Sequence, residues 1–274
     1  MTRKLILSAL LLLAASPAFA GRGATYGSVM DAIATNNADV IASELERGEW
    51  LTCAACAGPV LDLLDNDQYR VREAAAWWLS RRPVLAAAAT MQSIARIQGS
   101  DAKQAEYAAD VLGSFKHPRA LPTLASGLAR SDFPASTKVA LVRAVGAIGD
   151  PSGMSAVATA LADSSPATRA EAVRAYDNIR GAHAGTELTG LLADSDVGVR
   201  RQATASIATY KVATARAQLE GLLANDSDAL VRRNAAFALL KLGASTSRAA
   251  LQRAADSDPV MYVRSTAKAA LAGP

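Results

Sequence analysis

The chain has 274 residues, 51% of them hydrophobic, 20% charged and 5% aromatic, with two cysteines and a formal charge of +4. Roughly a quarter of the residues are alanine, the strongest helix former, while strand-favouring residues are scattered. This composition excludes an all-β fold, a disulfide-rich scaffold and a disordered chain, and so small a net charge gives no support to a nucleic-acid binder.

The first twenty residues read as a secretory signal peptide. Arg3 and Lys4 precede the apolar run Leu5 to Ala15, and Ser16-Pro17-Ala18-Phe19-Ala20 supplies a small-residue ending. The run is about half of the ~20 residues a membrane-spanning helix needs. Cleavage is expected after Ala20, leaving Gly21 first and a charge of about +2. An exported protein is expected, periplasmic by preference and secreted otherwise, with no transmembrane segment after cleavage. Residues 21–50 then read as an N-terminal segment with a capping helix near Asn37 to Arg47.

Cys53-Ala54-Ala55-Cys56 is the one cysteine pair. In an oxidising compartment such a pair tends towards a disulfide, although side chains three apart on a helix lie ~5–6 Å apart at Cβ, wider than the ~3.8 Å a disulfide prefers. A bond therefore requires a first or distorted turn. Three readings stand: a structural disulfide closing a tight turn, two free buried thiols, or a redox or partner-linking pair.

All three tryptophans are N-terminal: Trp50, Trp77 and Trp78. Tyr69, Arg70, Arg72, Arg81 and Arg82 lie around them. Adjacent helical residues point about 100° apart, so Trp77 and Trp78 cannot share one core stripe. Trp and Arg are enriched at binding hot spots, and a terminal unit must also plug its exposed end. Capping and partner binding are both expected of this group. The arginine cluster also admits a weaker third reading, attachment to a membrane surface.

From residue 51 to 274 the chain repeats itself. Asp/Ser clusters precede Arg169, Arg200, Arg232 and Arg264, which fall 31, 32 and 32 residues apart, a period typical of helical solenoids. Val199, Ala203 and Ile207 share a helix face, as do Val231, Ala235 and Leu239. Asp, Ser or Asn before each start can accept hydrogen bonds from the first free amides, and Gly149, Gly181 and Gly243 mark the turns that follow. First helices are predicted at Met154 to Leu161, Thr186 to Leu192, Ala215 to Leu223 and Arg248 to Ala254. Upstream copies are weaker, with Glu106 and Lys138 in place of arginine.

The Asp-x-x-Val-Arg element, with Gly146-Ala-Ile-Gly149-Asp150-Pro151 before the next first helix, resembles HEAT repeats, and among them the short type named after phycobilisome lyases. The resemblance covers about residues 55–272. It implies an all-α, right-handed α-solenoid of about seven stacked antiparallel helix pairs. It also implies that Asp194, Arg200, Asp226, Arg232, Asp258 and Arg264 serve packing between repeats.

Catalytic signals are missing. His117 and His183 lie in different units without ligand spacing, and the His-Glu dipeptides of HEAT-like deoxyhypusine hydroxylases do not occur here. No nucleophile elbow or phosphate loop is found. No cofactor and no metal are expected. The sequence points to a non-enzymatic scaffold that binds another protein along a curved surface. The alternative is an enzyme-associated subunit, either a thiol redox partner or a lyase-like component.

Overall fold

The computed structural model describes residues 23–181 and 184–273. The expected signal peptide, the residue that would follow its cleavage and His183 lie outside these. Among the described residues there are fifteen α-helices and no strand. They run as α1 (Tyr26–Ala34), α2 (Ala38–Arg47), α3 (Ala57–Asp62), α4 (Tyr69–Ser80), α5 (Pro83–Gln98), α6 (Ala102–Phe115), α7 (Leu121–Leu128), α8 (Ala135–Ile148), α9 (Met154–Leu161), α10 (Pro166–Asn178), α11 (Val197–Tyr210), α12 (Arg216–Asn225), α13 (Ala229–Lys241), α14 (Arg248–Ser257) and α15 (Met261–Ala272). Second helices pack in chain order, α2 on α4, α6, α8, α10, α11, α13 and α15, while α5, α7 and α9 form part of the other row.

The caps follow from the sequence. Asp101, Ser165, Asp196 and Asp228 accept from the first-turn amides of α6, α10, α11 and α13, satisfying donors that no helical carbonyl can reach. Gly149 closes α8 at φ 65°, where a side chain would be strained. Two features depart from expectation. A further short helix, α1, precedes the one near Asn37, closed by a Thr25/Ser28 capping box. Thr186–Ala193 winds as a 3-10 helix, consistent with Thr186, Thr189 and Gly190 all being weak α-helix formers.

Close approach explains two interior glycines. A Cβ on Gly113 of α6 would lie 2.9 Å from Ala144 Cα on α8, and one on Gly146 of α8 would lie 2.8 Å from Ala175 Cα on α10. Backbone meets backbone there, which only small residues permit.

An arginine ladder stitches the rear units. Arg169 donates through Nε and Nη2 to Asp194 (2.6 and 2.7 Å), Arg200 to Asp226 (2.7 and 3.1 Å) and Arg232 to Asp258 (2.7 and 3.1 Å). Each Nη1 clasps the carbonyls of its own loop, as Arg200 does at Asp194 and Ser195. Arg264 makes the same loop bonds, to Asp258 and Pro259. Lys138 fills a rung as well, reaching Asp163 at 2.8 Å.

The ladder fails where its residues change. Six residues before each ladder arginine stands its loop carboxylate, but Ser100 occupies that place ahead of Glu106. Glu106 faces Lys103 instead, and Asp132 is held by Arg130 at 3.0 Å. A different device spans the gap. Asp110, buried in the middle of α6, accepts from Arg72 Nε of α4 at 3.2 Å and from Arg143 Nη2 of α8 at 2.6 Å. One carboxylate thus joins three successive second helices. The buried apolar residues divide nearby, one cluster running from Ala24 to Ala89 with Val111 and the other from Ile97 to Ala270.

Candidate partner-binding site

Trp78, Arg81 and Arg82 converge on the turn after α2, while Tyr69 and Arg70 stand at the other end of α4. Gly48 ends that helix, and its carbonyl accepts from Trp78 Nε1 at 3.0 Å. Arg82 donates to the carbonyls of Leu51 (2.7 Å), Glu49 (3.2 Å) and Trp78 (2.6 Å), with its guanidinium 3.2 Å above the Trp78 ring. These bonds fix residues 48–51 from beneath, because cation–π and charge-assisted contacts gain strength when desolvated. Burial lowers the Arg82 pKa from its usual value.

Trp78 is therefore a correction to the predicted binding group. It is 0% exposed, so no partner can touch it, and it anchors the core. Arg82 likewise spends its donors on backbone carbonyls. Trp50, by contrast, is 81% exposed. It borders a groove with Leu51, Thr52, Cys53, Ala57 and Leu85, and Val84 and Met91, on one face of α5, are exposed as well. Arg81 pairs with Glu49 at 3.3 Å and lies 5.1 Å over the half-buried Trp77 ring.

A second groove lies between α2 and α4, lined by Ala42, Glu46, Tyr69, Arg70, Glu73 and Trp77. Arg70 pairs with Asp39 at 2.8 Å in full view of solvent. Tyr69 has a raised pKa because burial disfavours the phenolate and Glu73 lies close. Trp50 and Trp77 thus face different grooves flanking the same corner.

Cys53 caps the 3-10 turn Ala54–Cys56, its sulfur accepting from the Cys56 amide at 3.1 Å. The Cα atoms are 5.3 Å apart and the sulfurs are within bonding distance, inside the usual range for a disulfide. Cys56 is buried and Cys53 half-buried beside Trp50. His117 caps the 3-10 turn Pro118–Ala120 through Nδ1. Among the described residues no three His, Cys, Asp or Glu side chains converge as metal ligands, and no helix is long and apolar enough to cross a membrane.

The Asp110 junction escaped sequence reasoning. A lone aspartate inside an alanine-rich helix carries no local signal, since its two arginine partners lie 38 and 33 residues away.

Comparison with known proteins concerns the fold. The Escherichia coli protein YibA matches at TM-score 0.55 and 14% identity, over 90% of this chain and 92% of that one. Human deoxyhypusine hydroxylase matches at TM-score 0.40 and 19% identity, over 90% and 94%. The CpcE–CpcF complex of phycocyanin lyase from a Nostoc species matches at TM-score 0.38 and 19% identity, over 93% and 98%. No curated protein matches the sequence. A model of HEAT repeats matches residues 128–208 and 186–272, together more than half of the chain. With its stacked helix pairs, this protein belongs to the HEAT-repeat family.

Proposed function

We propose that this chain is a non-enzymatic scaffold that holds another protein at its N-terminal end, with Trp50 as the principal contact. The observation that carries this reading is the 81% exposure of Trp50 on a segment fixed by Trp78 and Arg82. An exposed aromatic on a rigid support loses little entropy on binding, and Trp is the residue most often found at hot spots. Arg81 supplies a polar contact beside it, and Trp77, Tyr69 and Arg70 extend the surface along the neighbouring groove. Affinity capture with the whole protein and with Trp50→Ala, followed by mass spectrometry, tests the reading. Partners should be lost with Trp50→Ala, and equal recovery would overturn it.

Export to the periplasm belongs to the same proposal and rests on residues 1–20. Amino-terminal sequencing of the mature protein should begin at Gly21. In that compartment Cys53 and Cys56 would be disulfide-bonded, so alkylation should label them only after reduction. A second reading, exchange of this disulfide with a partner's thiols, is favoured by the half-exposed Cys53 in the Trp50 groove. Cys53→Ser with Cys56→Ser separates the two: a scaffold keeps its partners, whereas a redox partner loses turnover of a small disulfide.

A further inference from the structure

We infer that the solvent face of α13 and α15, at the opposite end of the chain, is a second docking surface that takes an acidic amphipathic helix from a partner protein. Leu230, Arg233, Phe237 and Lys241 follow one another at spacings of three, four and four along α13, which places them on one helix face. All four are exposed. Phe237 is 44% exposed, an uncommon state for so large an apolar ring, and Lys241 Nζ lies 5.1 Å over it. On α15, Met261 and Tyr262 are exposed as well.

The cations of this stripe are uncommitted. Arginines of the forward units are tied to carboxylates, as at Arg70, Arg81, Arg96, Arg130 and Arg143. Among the described residues, none of Arg233, Lys241 or Lys268 on α13 and α15 has a carboxylate partner. A surface cation without a partner costs the fold nothing and remains available to an incoming anion.

The geometry selects the occupant. Ala205 on α11 and Ala269 on α15 stand one repeat before and one repeat after Phe237, and both are exposed. Phe237 is thus a knob with a shallow seat on either side. Neighbouring helix axes lie about 8–10 Å apart, so each seat accepts the side chains of one further helix. No strand exists among the described residues, which removes the main-chain pairing that an extended peptide would use. Arg233 and Lys241 are about 12 Å apart along α13 at ~1.5 Å per residue. A complementary helix carries Asp or Glu about two turns apart with a large apolar residue between them. A lipid surface would prefer a continuous apolar band, and here each apolar residue alternates with a cation.

The test uses the whole protein as target for a displayed library of random helical peptides. Selected sequences should carry two acidic residues about two turns apart around Leu, Phe, Trp or Met. A synthesised winner should bind the Arg233→Glu/Lys241→Glu and Phe237→Ala variants at least about tenfold more weakly, equal to ~1.4 kcal/mol. Its affinity for Trp50→Ala should be unchanged, so this surface and the N-terminal one can fail separately. Selected peptides without the acidic pattern, or equal binding by the charge-reversed variant, would overturn the inference. So would co-sedimentation with phosphatidylglycerol vesicles that the charge reversal abolishes while no peptide is enriched, which would assign the face to lipid.

Discussion

Replacing Asp110 by Asn is the most informative single perturbation of this fold. The carboxylate holds Arg72 on one oxygen and Arg143 on the other, and the side chains of Asp110 and Arg72 are 1% and 3% exposed. Breaking a buried ion pair by removing one partner costs about 3–5 kcal/mol. Arg143 is 37% exposed, so water replaces most of what it loses and its share is under about 1 kcal/mol. Arg72 keeps its bonds to the Asn66 and Asp67 carbonyls, which favours the lower half of the range. The expected loss is therefore about 4 kcal/mol. Because repeat arrays need not unfold as one unit, amide hydrogen exchange is the assay, with urea unfolding beside it. Protection should fall first in α4, α6 and α8. Apolar replacement of all three residues (Arg72→Met, Asp110→Leu, Arg143→Met) should recover most of the stability. A loss below about 1 kcal/mol, the value of a surface pair, would refute the argument that this junction bridges the gap in the ladder.

Within the ladder, Arg200→Ala strands a buried Asp226 and should cost about 3 kcal/mol, whereas Arg264→Ala removes only two carbonyl bonds and should cost about 1–2 kcal/mol; equal urea midpoints would contradict the contrast. Gly146→Ala gains about 1 kcal/mol of helix propensity but drives a methyl into Ala175 backbone, an overpacking cost of about 1–3 kcal/mol, so it should destabilise on balance, while Gly221→Ala, with nothing within 4 Å, should stabilise in thermal melts. Trp78→Ala should cost about 3–5 kcal/mol and Trp50→Ala less than about 0.5 kcal/mol, so a binding defect in the latter reports contact and not unfolding. In acid, hydrogen bonds from Arg169 hold Asp194 below 3.8, and those from Arg201 hold Asp228 down to about 2. For depressed carboxyls the stabilisation is complete above the unfolded value near 4 and fades as pH falls through the folded ones. Unfolding midpoints should therefore drop between about pH 4 and 2, less steeply in Arg201→Met, and a flat profile would count against it.

The rear of the molecule was legible because its signal is periodic. Arginines one repeat apart imply equivalent places in successive units, and the bonds to Asp194, Asp226 and Asp258 follow that register. The 3-10 winding of Thr186–Ala193 was hidden, since apolar spacing over so few residues does not separate two helix types. Helix α1 was hidden for a similar reason: nine residues including Gly27 and Val29 carry little periodic pattern. At the candidate site, residue type pointed to the corner where these side chains gather but not to the roles within it. That Trp78 lies inside while Trp50 projects depends on bonds from Trp78 and Arg82 to a loop about thirty residues earlier, and no local pattern encodes them. The stripe on α13 was present in the sequence as an i, i+3, i+7 pattern, yet its meaning depended on learning which cations lack partners.

The two ways of joining helices give the halves different tolerance of change in length. Arg200 and Arg232 each find their carboxylate 26 positions onward, so excision of residues 201–232 would hand Arg200 to Asp258 with the geometry intact. Duplication of the same stretch would add one more identical rung. Around Asp110 no such substitution exists, because its two arginines come from either side and neither is replaced by a copy. The rear can be lengthened or shortened in whole units, while the front is a keystone that admits neither.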